Sequence, residues 1–232
     1  MDGQSTSLQP YNAAVDLIER NLEARPNKIA YIDDQGSYSF LELAQRVNRA
    51  ANALRSYRQA TQKAPGAGHV EVVQQIGRPN FFAVHETWND GGSLQAHLMS
   101  ADNTKLRDDL RSALLGPLDD RVLASISTQP IHGAVTDDSV YVLTHADAAA
   151  RREDIPGMLQ ELAAGARREN GSVLFDATVQ PTRTNHFTIV EVWSDQKAFE
   201  AHLTAANTRT FREAFAPVSG ALYDERIYRR VK

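Results

Sequence analysis

The sequence predicts an α+β protein built from two tandem copies of one βαββαβ unit behind a helix–hairpin extension, and three observations carry that prediction. The first is a self-match. Sliding residues 66–126 onto 171–231, a shift of 105 without a gap, gives fifteen identities in 61 positions. They include Gly66/Gly171, Asn80/Asn185, Glu86/Glu191, Trp88/Trp193, Asp90/Asp195, His97/His202, Arg107/Arg212, Asp119/Asp224 and Arg121/Arg226. The second is the order of patterned segments in the later copy, strand, helix, two strands, helix, strand, which is the ferredoxin-like split βαβ arrangement. The third is size: 232 residues with 42% hydrophobic content suit two small domains better than one large one.

The elements follow in chain order. Ala14, Leu17, Ile18, Asn21 and Leu22 recur at helical spacing, and the run ends before Arg25 and Pro26, because proline disfavours helix in the residue before it. Two β-prone runs, Ile29 to Asp33 and Ser37 to Phe40, flank the turn residues Asp34, Gln35 and Gly36. Ser39 and Glu42 have capping-box spacing, and Phe40, Leu43, Ala44, Val47, Ala51 and Leu54 form the apolar stripe of a helix running to about Lys63. In the second copy Val140 to Thr144 reads as a strand, and Ile155, Met158, Leu159, Leu162 and Ala166 as a helix stopping near Asn170 and Gly171. Strands are expected at Val173 to Val179 and Phe187 to Trp193, then a helix through Phe199, His202, Leu203 and Ala206, then a strand at Asp224 to Tyr228. This divides the chain into an extension at 1–38, a first repeat at 39–126, a linker at 127–139 and a second repeat at 140–232. The opening strand of the first repeat is either supplied by the extension or missing. A sheet with helices on one face leaves the other bare, and a second copy in the same chain can cover it.

Composition narrows the function. A net charge of −4, with 29 acids against 25 bases, argues against nucleic-acid binding, which needs a basic surface to neutralise phosphates. Zero cysteines exclude disulfides, thiolate nucleophiles and cysteine-ligated metals. The N-terminus lacks a basic, then apolar, leader and no window approaches a membrane span, so a cytoplasmic location is expected. No phosphate-cradling, flavin or dinucleotide pattern occurs. His145 with Asp147, and His69 with Glu71, have the spacing of part of a facial iron site but lack a third ligand nearby in sequence.

Two repeated pairs remain as chemistry. His97 and His202 fall at the edge of the helix face expected to meet the sheet. A neutral imidazole there could take a proton from a phenol, or could serve only as a hydrogen-bonded core residue. Glu86 with Trp88, and Glu191 with Trp193, lie on one face of their strands beside Phe82 and Phe187. The carboxylate is either a base desolvated beside the indole or the partner of an arginine, with Arg107 and Arg212 the candidates.

The stretches GHVEVVQQIGRPNFFAVHETWNDGGSLQAHLMSADNTKLRDDL and GSVLFDATVQPTRTNHFTIVEVWSDQKAFEAHLTAANTRTFREAF resemble the antibiotic biosynthesis monooxygenase family of dimeric α+β barrels. The shared series is a glycine before a strand, a hairpin, an E-x-W strand end, an acidic turn and an A-H-L helix. The resemblance implies that the two repeats form an intrachain barrel. It also implies a cofactor-independent monooxygenase acting on a small phenolic or quinol substrate with molecular oxygen. The alternative is a non-catalytic ligand-binding or assembly module. On this reading His202, Glu191 and His97 are the catalytic candidates, and Trp193, Phe199, Asn185, Arg212 and Phe187 the substrate-binding ones. No metal or other cofactor is expected. The partners are a small aromatic substrate and oxygen, without nucleic acid or membrane, and a homo-oligomer is an open state. The haem-degrading relatives place their iron-ligating histidine where this chain has Arg212, and arginine cannot ligate iron. Residues 11–55 look like the N-terminal segment of benzoate–CoA ligase-type synthetases, without the phosphate loop and adenylate domain that such ligases need. The more aromatic second repeat is expected to be the ligand-binding one.

Overall fold

A computed structural model describes residues 20–33, 36–114, 116–127, 131–149, 153–221 and 223–231. The expected helical positions Ala14, Leu17 and Ile18, and the turn residues Asp34 and Gln35, lie outside them. The chain divides into two compact units, residues 1–117 joined by Val231, and residues 118–230.

In unit 1, residues 20–24 are helical and the turn ends at Arg25, whose amide bonds to the Asn21 carbonyl. Strands β1 (Ile29–Asp33) and β2 (Gly36–Ser39) pair antiparallel as a two-stranded sheet of their own. Helix α1 (Phe40–Thr61) starts on the expected capping box: the Ser39 hydroxyl accepts from the Glu42 amide, and the Glu42 carboxylate accepts from the Ser39 amide. Next come β3 (Ala67–Gln75), β4 (Phe82–Trp88), α2 (Gly91–Leu98) and α3 (Ala101–Arg111). Ala50, Leu54 and Tyr57 of α1 pack with Val72 of β3 and with Leu106 and Leu110 of α3. The repeat therefore has its own first helix, and among the described residues the extension adds no strand to its larger sheet, because β1 and β2 pair with each other in a two-stranded sheet. The segment matching the closing strand also behaves differently: residues 118–126 cluster with unit 2.

Unit 2 holds β5 (Ala124–Ser125), β6 (Val140–Asp147), α4 (Ile155–Ala166), β7 (Ser172–Gln180), β8 (Arg183–Trp193), α5 (Gln196–Leu203), α6 (Ala206–Phe215) and β9 (Asp224–Arg230). Its strand order, β9-β6-β8-β7-β5, contains the full ferredoxin-like sheet with β5 added at one edge. Even positions of β6 and odd positions of β7 and β8 point to the helices. Val140, Val142, Phe175, Ala177, Phe187, Ile189 and Trp193 meet Leu159 and Leu162 of α4, Phe199 of α5, and Phe211 and Phe215 of α6. The hairpin β7–β8 turns on Pro181 and Thr182 alone, tighter than the seven positions left between the two expected strands. The helix expected through Phe199 and Ala206 is broken in two at Thr204 and Ala205, as α2 and α3 are broken at Met99 and Ser100.

Gly66 and Gly171 repeat for a backbone reason. Both take left-handed φ angles, 80° and 83°, and each carbonyl receives an amide from beyond the Trp-bearing strand, Asn89 at 2.9 Å and Ser194 at 2.7 Å. A Cβ on Gly171 would lie 2.5 Å from the Ala198 Cβ. Gly171→Ala should therefore cost at least about 2 kcal/mol in urea unfolding, from strain and overlap together. Gly157→Ala, in the first turn of α4 with open space around it, should instead raise stability by roughly 0.5–1 kcal/mol. Deleting residues 1–56 removes Ala50, Ala51 and Leu54 from the unit 1 core and should leave an insoluble or partly folded chain. Cooperative melting of that truncation at the full-length temperature would contradict this role for the segment.

Candidate active site

The short helix after each hairpin is aimed by an aspartate. Asp90 and Asp195 stand two residues beyond Trp88 and Trp193, and each N-caps its helix, accepting from the Ser93 and Ala198 amides at 2.8 Å. The helix then sets its last-turn histidine flat against the tryptophan that ended the strand. His97 stacks on Trp88 and His202 on Trp193, both with ring centroids 4.6 Å apart, at 29° and 28°. Both histidines are buried, not at a helix-face edge. The carboxylates of Glu86 and Glu191 accept from the indole N–H of the same tryptophans, at 3.1 and 2.8 Å.

The two repeats complete this constellation differently. In unit 2, His202 Nδ1 lies 3.1 Å from the Glu169 carboxylate, Thr208 Oγ1 is 3.3 Å from the ring, and Nε2 is 3.7 Å from Glu191 Oε2. Phe175 meets the ring edge-on at 5.5 Å. In unit 1 the phenol of Tyr57 lies 2.6 Å from both Glu86 and His97 Nε2.

Burial sets the proton affinities of the unit 2 cluster. Glu191 is 3% exposed, and desolvation raises its pKa to about 8 against the opposing hydrogen bond from Trp193. Desolvation lowers that of His202, partly offset by the Glu169 carboxylate. At neutral pH the site therefore pairs a protonated carboxyl with a neutral imidazole. Tyr57 is also raised, by desolvation and then by Glu86.

The arginine expected to pair with Glu191 does not. Arg212 of α6 is bonded to Glu225 on β9 at 3.0 Å, and acts on Glu191 only through its charge. Glu86 is held by Tyr57 and Trp88. Asn185 lies apart from the cluster: its amide donates to the Ala148 carbonyl at 3.0 Å, tying β8 to the end of β6. Phe187 and Phe199 are core residues between sheet and helices. Glu169, Tyr57 and Glu225 are absent from the sequence-derived candidates. None has a local signal: Glu169 sits in the turn after α4, 33 positions before the histidine it meets.

The metal-like spacings resolve into other contacts. Glu71 is 2.9 Å from Arg58 Nε, and Asp147 is 2.8 Å from His186 Nδ1. Among the described residues no group of three or more His, Asp or Glu is placed to hold a metal ion. The donor set does not fit haem iron either, since Arg212 holds the expected ligand position. A hollow of about 570 Å³ in unit 2 lies away from His202, lined by Arg121, His145, Asp147, Ala221, Tyr223, Asp224 and Arg226. Among the described residues no helix is long and apolar enough to cross a membrane.

Fold and site together define a ferredoxin-like α+β protein with a repeated Glu–Trp–His stack. The family model described as antibiotic biosynthesis monooxygenase matches residues 45–108 and 144–214, more than half of the chain, and the chain belongs to that family. Its fold is similar to those of candidate monooxygenases from Fusobacterium nucleatum and Lactobacillus acidophilus. The first is 14% identical with a TM-score of 0.70, covering 80% of this chain and 86% of that one. The second is 11% identical with a TM-score of 0.62, covering 82% and 87%. A separate likeness, 64% identity over 47 residues, joins 20% of this chain to the benzoate–CoA ligase of Thauera aromatica, and the match spans only 9% of that ligase.

The raised Glu191 predicts a pH dependence of stability. The folded state holds a proton that the unfolded carboxyl, with its ordinary value of 4.5, releases earlier. Stability contributed by this group is therefore complete below that value and declines as pH rises toward about 8. Glu191→Gln keeps the neutral shape and the Trp193 contact without the proton. Urea unfolding should find wild type losing on the order of a few kcal/mol relative to the glutamine variant between pH 5 and 8. Parallel curves for the two proteins would show that Glu191 ionises normally.

Proposed function

We propose that this protein is a cofactor-independent monooxygenase for a small phenolic or quinol substrate, with His202 as proton acceptor and Glu191 as proton donor. The observation that carries the reading is the opposed pair: an imidazole held neutral and a carboxyl held protonated, 3.7 Å apart. Groups whose pKa values are driven in opposite directions are the arrangement that acid–base catalysis needs. Glu169 takes the Nδ1–H of His202 and so leaves the Nε2 lone pair as the base. Removing the phenolic proton makes an anion able to pass an electron to oxygen. Radical recombination then forms a C–O bond to a peroxide, and cleavage of its O–O bond, assisted by the Glu191 proton, gives quinone and water. Phenol plus dioxygen balances to quinone plus water, so the substrate supplies all the electrons and no reductant is needed. Trp193, with Phe199 and Phe187 nearby in the same core, would form the apolar wall for a flat ring.

A second reading, a non-catalytic ligand-binding or assembly module, is favoured by one observation. The stack is closed, with His202 3% exposed and Trp193 wholly buried, and a similar stack recurs in unit 1.

Oxygen uptake with a panel of hydroquinones separates the two. On the catalytic reading uptake exceeds buffer autoxidation, and His202→Gln lowers turnover per folded molecule by roughly 10²–10⁴. The rate should fall on the acid side as His202 is protonated, below the ordinary histidine value, and on the alkaline side near pH 8 as Glu191 loses its proton. Uptake no faster than autoxidation, or full turnover in His202→Gln, would leave the module reading.

A further inference from the structure

Unit 1 holds a phenol at a place where unit 2 has none. The shift of 105 that aligns the repeats sets Tyr57 of α1 on Leu162 of α4, and it also matches the ends of the two helices, Thr61 and Ala166. Both side chains are buried between helix and sheet in the core of their own unit. The Tyr57 hydroxyl lies 2.6 Å from Glu86 Oε1 and 2.6 Å from His97 Nε2, so one phenolic oxygen bridges the carboxyl group and the imidazole. The second carboxyl oxygen, Oε2, accepts from the Trp88 indole at 3.1 Å.

Unit 2 presents the same two walls around a leucine. Glu191 Oε2 accepts from the Trp193 indole at 2.8 Å and lies 3.7 Å from His202 Nε2, against 4.0 Å between Glu86 Oε2 and His97 Nε2. The imidazole–indole stacks that hold the two pairs have the same centroid separation, 4.6 Å. Leucine offers neither donor nor acceptor to the pair. Glu169 meanwhile takes the other ring nitrogen of His202, which leaves Nε2 an acceptor on the side that Tyr57 fills in unit 1.

We propose that unit 2 binds one phenolic hydroxyl between His202 Nε2 and Glu191, with the ligand ring on the Leu162 side, and that Tyr57 is a built-in occupant of the same subsite that closes unit 1 to ligands. The role of His202 as base rests on the proposed catalytic function, whereas the subsite rests on the contacts of Tyr57. Each hydrogen bond in the pose has a direction. The ligand O–H donates to Nε2, and its oxygen accepts from the protonated carboxyl of Glu191 through Oε1, the oxygen that meets Tyr57 in unit 1. A tyrosine side chain is a phenol substituted para to its hydroxyl, so the ligand class is a para-substituted phenol or a hydroquinone. An aromatic carboxylate can only accept and has no proton for Nε2.

The chain has two tryptophans, one in each stack, so two indole N–H resonances report separately on the two subsites. The test titrates p-cresol, the tyrosine side chain without its backbone, into anaerobic, isotope-labelled full-length protein, beside toluene and benzoate. p-Cresol should shift the Trp193 resonance saturably and leave that of Trp88 unmoved. Toluene and benzoate should bind about tenfold more weakly or worse, the worth of one hydrogen bond to a buried partner. Leu162→Tyr carries the unit 1 occupant into unit 2 and should weaken p-cresol at Trp193 by about tenfold or more. Tyr57→Ala empties the unit 1 subsite and should make the Trp88 resonance respond as well. An unmoved Trp193 resonance, a Trp88 response in the unaltered protein, equal binding of toluene or benzoate, undiminished affinity in a folded Leu162→Tyr protein, or a silent Trp88 in a folded Tyr57→Ala protein would overturn the proposal. If either variant fails to fold, the two resonances and the three ligands in the unaltered protein decide. Oxygen uptake separates this subsite from the catalytic reading. The expected p-cresol shifts without uptake keep the subsite and end the catalysis, while hydroquinone-dependent uptake that persists in full in Leu162→Tyr keeps the catalysis and ends the subsite.

Discussion

In each repeat an imidazole lies flat on the indole that ends the preceding strand, and the rest of the unit is arranged around that contact. The spacing is short enough to be dictated locally. Tryptophan is the last strand residue, aspartate two positions later caps the helix, and histidine arrives in the helix's last turn. A glycine with left-handed φ at the start of the previous strand lets the cap loop close down by accepting its amide. Each of these residues fixes one step of the path that brings the histidine onto the ring. This geometric chain explains why Gly, Glu, Trp, Asp and His recur together at one shift while most surrounding positions have diverged.

The stack imposes an electrostatic consequence. The indole N–H needs an acceptor in a dry interior, and the glutamate two residues earlier, on the same strand face, supplies it. Burying that carboxyl beside aromatic rings disfavours its charge, so in unit 2 it is held as the neutral acid. The same desolvation disfavours the imidazolium. Packing thus creates the acid–base asymmetry at Glu191 and His202 without a metal or an added cationic partner. Arg212 joins Glu225 on β9, where the pair is partly exposed, and so compensates the Glu191 carboxylate only weakly.

How far this was legible in the sequence depends on range. Contacts within a dozen residues left a pattern: the capping box at Ser39, the strand–cap–helix run, the same-face Glu and Trp, and the shift of 105 that makes each visible twice. Contacts closed by tertiary folding did not. Glu169 reaches His202 from a helix-terminal turn, Tyr57 reaches His97 from α1, 40 positions earlier, and Arg212 finds Glu225 on a strand whose place in the sheet periodicity cannot specify. The hairpin of β1 and β2 shows the same limit: its strand propensity was plain, but which sheet it would join depends on partners outside the segment.

The two repeats also show that a shared stack need not mean shared chemistry. A buried imidazole requires a partner for its second nitrogen, but that partner can come from any element within reach. Unit 1 uses Tyr57, where the matching position of unit 2 is Leu162; unit 2 uses Glu169, where unit 1 has Ala64. The substitutions are not equivalent. A phenol whose pKa is raised remains a proton donor at neutral pH, so Tyr57 offers its hydrogen to Glu86 or to His97 and competes for the ring's lone pair. A carboxylate at Glu169 can only accept, which orients the ring and leaves the other nitrogen basic. Proton transfer from a bound phenol therefore fits the unit 2 stack, whereas in unit 1 the same ring nitrogen already faces a hydroxyl of the protein itself.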